Sequence, residues 1–133
     1  MAGLGDTTVS GVLRAEDYDR AKKFYTEVLG LAEPRETPGP TREGAFGAGG
    51  GTVVSIYERP DLPAPQNTTL NFTVSADKVD SVVAELRSKG VVFEDYDIPE
   101  IGLKTVNGVA EFEGNKVAWF NDTEGNIISI ASM

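Results

Sequence analysis

Gly51-Thr-Val-Val-Ser-Ile56 and Gly125-Asn-Ile-Ile-Ser-Ile130 repeat one pattern 74 positions apart: a glycine, a polar residue, two β-branched residues, Ser and Ile. Each reads as a glycine-led turn entering a strand, and self-similarity at this distance marks an internal duplication. Upstream of each lies an amphipathic helix opened by an aspartate, Asp17 before Tyr18 and Asp77 before Lys78. An Asp at this position is predicted to cap the helix, because its carboxylate accepts from the free N–H groups of the first turn. Ala21, Phe24, Tyr25, Val28 and Leu29 form one stripe, and Val79, Val82, Val83 and Leu86 form the other. That spacing buries one face of each helix. Gly30 and Gly90 are predicted to end them in the left-handed conformation.

Strands are predicted before the helices at 8–14 and 69–75. Further strands are predicted after the first helix at 32–37, 42–48 and 52–58, and after the second at 91–96, 109–113, 116–121 and 126–131. The second copy thus carries one run too many, which leaves its register open. Gly47–Gly51 reads as a hairpin turn, since it lacks the spacing, Lys and following helix of a phosphate loop. The chain reads as two copies of β-α-β-β-β, an α+β fold. Residues 1–133 are read as a single domain, with a first module at 7–58, a proline-rich linker at 59–67 and a second module at 68–132.

Composition narrows the chemistry. With no Cys and no His, disulfides, thiolate nucleophiles, imidazole bases and imidazole metal ligands are all excluded. Any reaction must use carboxylates, Tyr, Lys, hydroxyls or amides. A formal charge of −9 argues against a nucleic-acid partner, which selects for surplus Lys and Arg. The segment from Met1 to Thr8 lacks a basic stretch followed by an apolar run, and no stretch is long and apolar enough to span a membrane. A cytoplasmic location with no membrane partner is the default expectation.

Two segments carry a family resemblance. Leu13-Arg-Ala-Glu-Asp-Tyr-Asp-Arg-Ala-Lys-Lys-Phe-Tyr-Thr-Glu-Val-Leu-Gly30 resembles the opening strand and helix of vicinal oxygen chelate proteins. These form the glyoxalase, bleomycin-resistance and extradiol-dioxygenase superfamily. Phe120-Asn-Asp-Thr-Glu-Gly-Asn126 resembles its closing F-x-D-P-D-G-N hairpin, with Thr123 and Glu124 in place of Pro and Asp. The resemblance implies two βαβββ modules forming a curved mixed sheet around a central cavity. In the metal enzymes of the superfamily, the first and last strands of each module supply the ligands. Those positions fall here on Ser10, Ser55, Asn71 and Ser129, so neither a metal nor another cofactor is expected.

Strand alternation puts Ser10 and Arg14 on one face, and likewise Ser55 with Tyr57 and Asn71 with Thr73; the resemblance turns these faces inward. Together with Ser129 and Trp119 they make the candidate ligand-binding set. Small hydroxyls, one amide and one guanidinium suit a neutral or anionic small molecule. The resemblance implies that Arg14 anchors a carboxylate; as a strand-end residue it also reads as reaching solvent or pairing with Glu16 or Asp17. Tyr57 and Trp119 read as ligand walls or as plain core. Glu111 and Glu113 read as an acid–base pair or as a solvated hairpin edge. The long stretch 96–105 reads as a lid with Lys104 and Thr105 at its rim, or as a surface connection.

Three functions follow. The first is a metal-independent protein that binds a small molecule, similar to the antibiotic-sequestering members of the superfamily. The second is a glyoxalase-like lyase or isomerase that works without the usual metal site. The third is a structural or regulatory module. For all three the resemblance implies a homodimer.

Overall fold

The computed structural model describes residues 3–132. The chain divides into two compact units, one ending at Leu62 and one starting at Pro63, and that boundary falls inside the linker predicted at 59–67. The fold is α+β, with two mixed sheets and two helices.

In the first unit β1 (Gly11–Ala15), β2 (Arg35–Glu36), β3 (Glu43–Gly47) and β4 (Val53–Glu58) form a sheet of order β1-β4-β3-β2. β1 and β4 run parallel; the other pairs are antiparallel. Between β1 and β2 runs α1 (Tyr18–Lys23), and Asp17 caps it as predicted, accepting from Arg20 N at 3.2 Å. The helix then widens to a π turn over Phe24–Val28, where Leu29 N reaches Phe24 O at 3.0 Å. The core falls on Tyr18, Ala21 and Tyr25, packed with Leu13, Phe46 and Ile56. Phe24, Val28 and Leu29, predicted for the same stripe, are only half-buried because the wider turn rotates them out of register.

In the second unit β5 (Thr68–Val74), α2 (Val79–Ser88), β6 (Asp97–Ile98), β7 (Leu103–Val106), β8 (Val109–Phe112), β9 (Asn115–Asn121) and β10 (Ile127–Ser132) give the order β5-β10-β9-β8-β7-β6. β10 runs parallel to β5 and antiparallel to β9. Without β6 and β7 the order β5-β10-β9-β8 repeats that of the first unit; the surplus run of the sequence reading is 91–96, and the β6–β7 hairpin arises from the stretch read as a loop. The core here is Val79, Val83, Leu86, Phe93, Ala118, Phe120, Ile128 and Ile130. Gly30 and Gly90 take positive φ, as predicted for helix ends.

Several boundaries differ from the sequence reading, each for a local reason. Strand 32–37 shrinks to two residues between Pro34 and Pro38, whose missing N–H groups break a ladder. Thr8, Val9 and Ser10 precede β1 and pair with no strand. Asp77 does not cap α2; it sits inside a 3₁₀ turn, Ala76–Lys78, whose entry residue is Ser75. Segment 91–96 is not a strand: β8 covers β9 only as far as Ala118, and the chain adds at the open end through a Phe93–Phe120 bridge and Glu94 N to Trp119 O at 2.9 Å. Glu113 is not on a strand with Glu111; it takes φ 48° in the β8–β9 turn, and both carboxylates are exposed, which supports the hairpin-edge reading.

The stretch 96–105 makes up nearly all of the β6–β7 hairpin, in which Asp97 pairs with Lys104. It is pinned at its base. The Thr105 hydroxyl donates to Asp95 Oδ1 at 2.7 Å and accepts from Tyr96 N at 2.7 Å, and Gly108 N donates to the same carboxylate at 2.8 Å. The Thr105 hydroxyl and the Gly108 amide hold the Asp95 carboxyl below its ordinary range. Thr105 is buried, so of the two expected rim residues only Lys104 is exposed.

Candidate functional site

Each sheet has a core face and an opposite face, and pair register assigns residues to them. In the first unit Leu13, Phe46, Val54 and Ile56 are buried on the core face with the α1 aromatics. The opposite face carries Val12 beside Ser55 and Arg14 beside Tyr57 on β1 and β4, with Ala45 beside Ser55 and Glu43 beside Tyr57 on β3. Directly opposed residues share a face. One row across three strands therefore reads Arg14, Tyr57, Glu43. Arg14 is half-buried, and its Nε donates to Leu62 O at 3.2 Å, which ties the guanidinium to the end of this unit. Ser10 is exposed and lies just before β1.

In the second unit Ser129 pairs with Asn71 on one side and Trp119 on the other, and Ala131 pairs with Thr73. These side chains form a connected set. Ser129 Oγ donates to Asn71 Oδ1 at 2.7 Å, and Asn71 Nδ2 donates to Thr73 Oγ1 at 3.2 Å. Ser129 is buried at 5% exposure, whereas Asn71 and Thr73 are exposed. Trp119 is half-buried, its indole N–H donating to Thr68 Oγ1 at 3.2 Å, and the Tyr96 ring stands edge-on to it at 5.4 Å and 89°. Burial, then the nearby Glu94 charge, pushes the Tyr96 phenol up.

Of the candidate residues, Ser55 joins Arg14 and Tyr57 on one face of the first unit, while Asn71, Thr73, Trp119 and Ser129 meet in the second. Ser10 belongs to no strand pair. Sequence reasoning missed Thr68, Tyr96 and Glu43. Simple alternation puts Thr68 on the opposite face from Asn71, but the register slips between Ile127 and Ile128, so that Thr68 opposes Ile127 and Leu70 opposes Ile128. That bulge brings Thr68 round to the Asn71 face. No sequence signal marks it. Tyr96 arrives with the segment that adds to β9, and Glu43 could have been found only by pairing β3 against β4.

A second cluster surrounds Tyr18. Its hydroxyl donates to Glu36 Oε2 at 2.8 Å, its backbone N–H donates to Glu58 Oε2 at 2.9 Å, and the Arg42 guanidinium lies 5.0 Å over its ring. Burial, then the bond to the Glu36 carboxylate, raises the phenol well above its ordinary range. A proton held so firmly makes Tyr18 a buried anchor and a poor acid. Arg42 is taken up by Asp19 in a two-pronged pair at 2.7 Å.

Comparison with known proteins places the chain. The model of the Glyoxalase/Bleomycin resistance protein/Dioxygenase superfamily matches residues 7–130. No curated protein matches. Among solved structures, a glyoxalase family protein from Enterococcus faecalis superposes with a TM-score of 0.71 at 22% identity, covering 97% of this chain and 99% of that one. An integron cassette protein, HFX_CASS4, from the mobile metagenome of the Halifax Harbour sewage outfall gives 0.70 at 16% identity, covering 96% and 99%. The fosfomycin resistance protein FosX from Listeria monocytogenes, solved with Mn(II) and sulfate, gives 0.66 at 14% identity, covering 96% and 93%. At these identities the structures speak for the fold alone; it is the match over residues 7–130, together with the duplicated strand order, that makes this chain a member of the glyoxalase/bleomycin resistance protein/dioxygenase superfamily.

Proposed function

We propose that this protein binds a small molecule without a metal ion. The observation that carries the reading is the hydrogen bond between Ser129 and Asn71, two of the four positions that correspond to metal ligands in the metal enzymes of the superfamily. The other two positions are Ser10 and Ser55. A divalent ion needs anionic or strongly basic donors to offset the loss of its water. Three hydroxyls and one amide provide neither, and here one hydroxyl proton is already directed at the amide oxygen. Among the described residues no three His, Cys, Asp or Glu side chains are grouped so as to hold a metal. The donor set does not fit a catalytic ion.

What the first unit's face offers instead is one guanidinium at Arg14 beside the aromatic ring of Tyr57, and what the second unit's face offers is hydrogen bonding beside Trp119; each suits contact with a small organic ligand. A homodimer in the cytoplasm is part of the proposal and rests on the resemblance. The test is thermal unfolding in excess chelator against a library of cationic antibiotics, glutathione conjugates and aromatic diols. At a ligand concentration one hundred times Kd, binding to the folded state adds about 2.7 kcal/mol. At least one class is expected to raise Tm under chelator, and Ser129→Ala or Arg14→Ala to reduce that rise. Stabilisation seen only after a divalent metal is restored would contradict the proposal.

A further inference from the structure

Asn107-Gly108 is the one Asn-Gly pair in the sequence, and it forms the tip of the β7–β8 hairpin between the paired Val106 and Val109. The tightest hairpin turns need positive φ at both central positions, and here the two values are 51° and 81°. Asn and Gly take that conformation most readily. At 108 nothing larger than Gly fits, because a Cβ there would lie 2.8 Å from Phe93 Cβ and 2.8 Å from an Arg87 guanidinium nitrogen. The turn therefore selects the dipeptide whose amide is chemically least durable. With no side chain on the following residue, the Gly nitrogen can attack the Asn side-chain carbonyl carbon. The N–Cγ bond forms, the Cγ–Nδ2 bond breaks, and the backbone proton leaves with the side-chain nitrogen as ammonia. Water then opens the ring at either carbonyl, giving aspartate or an isoaspartate whose main chain runs through the side-chain carbons.

The fold holds this peptide unit from both sides. Arg87 Nη2 donates to Asn107 O at 2.5 Å, and Gly108 N donates to Asp95 Oδ1 at 2.8 Å. Each holder is itself fixed: the Thr105 hydroxyl donates to Asp95 Oδ1 at 2.7 Å, and the Arg87 guanidinium lies 5.4 Å over the Phe93 ring. Gly108, which carries the attacking nitrogen, is buried, while Asn107, which carries the leaving amide, is exposed. Ring closure needs the peptide plane to rotate about the Asn107 Cα–C bond until Gly108 N faces Cγ. That rotation takes the carbonyl away from Arg87 and the N–H away from Asp95. We infer that Asn107 is a latent deamidation site, kept slow in the native protein because Asp95 and Arg87 clamp the Asn107–Gly108 peptide. Both bonds have a charged partner, which makes them stronger than neutral ones and raises the cost of opening the turn.

Full-length protein would be held at mildly alkaline pH well below its Tm, sampled over time and digested, and the Asn107 peptide scored by mass spectrometry for conversion of amide to acid. The same chain unfolded in guanidinium chloride is the reference. Wild type is expected to convert at least about tenfold more slowly folded than unfolded. Asp95→Ala and Arg87→Met are each expected to convert about tenfold faster than folded wild type. Hydrogen exchange at the Gly108 amide should quicken with them, while Ile128 and Ile130 in β10 stay protected. Asp95→Asn keeps the accepting oxygen and is expected to convert no more slowly than wild type. Equal rates in folded and unfolded wild type, or no acceleration in either Asp95→Ala or Arg87→Met, overturns the clamp. Slower conversion in Asp95→Asn also overturns it, since the carboxylate would then be drawing the proton off the nitrogen rather than holding it there. Acceleration that comes only with exchange at Ile128 and Ile130 is loss of the fold, and overturns it too.

Discussion

Gly44→Ala is expected to destabilise the protein by about 3 kcal/mol, the upper end of the usual cost of overpacking a core. A methyl group at Gly44 would lie 2.2 Å from the Tyr18 hydroxyl and 3.0 Å from Pro34 Cβ. The hydroxyl cannot simply swing aside, because it sits at the end of a buried ring that packs on Phe46 and is bonded to Glu36. Either the ring retreats into the core or β3 lifts away from α1. For a domain of this size the loss corresponds to a fall in Tm of roughly 10 °C in a calorimetric scan. Tyr18→Phe deletes the atom in conflict, so Tyr18→Phe/Gly44→Ala should be more stable than Gly44→Ala alone. Additive losses in that double-mutant cycle would show that the close approach is not the cause.

Asp122→Ala is the second large effect, again about 3 kcal/mol. In the β9–β10 turn Asp122 Oδ1 accepts from Glu124 N and Asn126 N, both at 2.8 Å, and Oδ2 accepts from Asn126 Nδ2 at 2.9 Å. Asp122, Glu124 and Asn126 are all buried, so truncation strands three donors away from water, each at a cost of about 1–3 kcal/mol before relaxation. Asp122→Asn keeps the two backbone bonds and sets its amide N–H groups against those of Asn126, losing one bond. Chemical denaturation should therefore rank wild type above Asp122→Asn above Asp122→Ala. If the two variants lose the same amount, the backbone bonds are not what holds the turn.

That turn is also where sequence and structure agree best. Phe120 to Asn126 carried the family resemblance, and its aspartate accepts from neighbours within four residues, so the motif can be read from the chain. The Asp17 cap and the duplicated β-α-β-β-β order were legible for the same reason. The Tyr18–Gly44 approach was not, because it joins a helix to a strand 26 residues away and leaves no local mark. At the candidate site, strand alternation was enough to group Ser55 with Tyr57 and Asn71 with Thr73. It failed at Thr68, where a single bulge reverses the parity. It failed at 91–96 as well, where alternating burial of Val91 and Phe93 mimics a strand although little free edge of β9 is left to pair with.

Metal-independent binding requires that Ser10, Ser55, Asn71 and Ser129 hold no functional metal, which calorimetric titration of chelator-stripped protein with Mn(II), Zn(II), Ni(II) and Fe(II) decides, with Tm recorded at each end point. No stoichiometric binding heat and no rise in Tm are expected for any of the four ions. One equivalent bound, with a Tm rise that chelator reverses and Ser129→Ala together with Asn71→Ala abolishes, would contradict it.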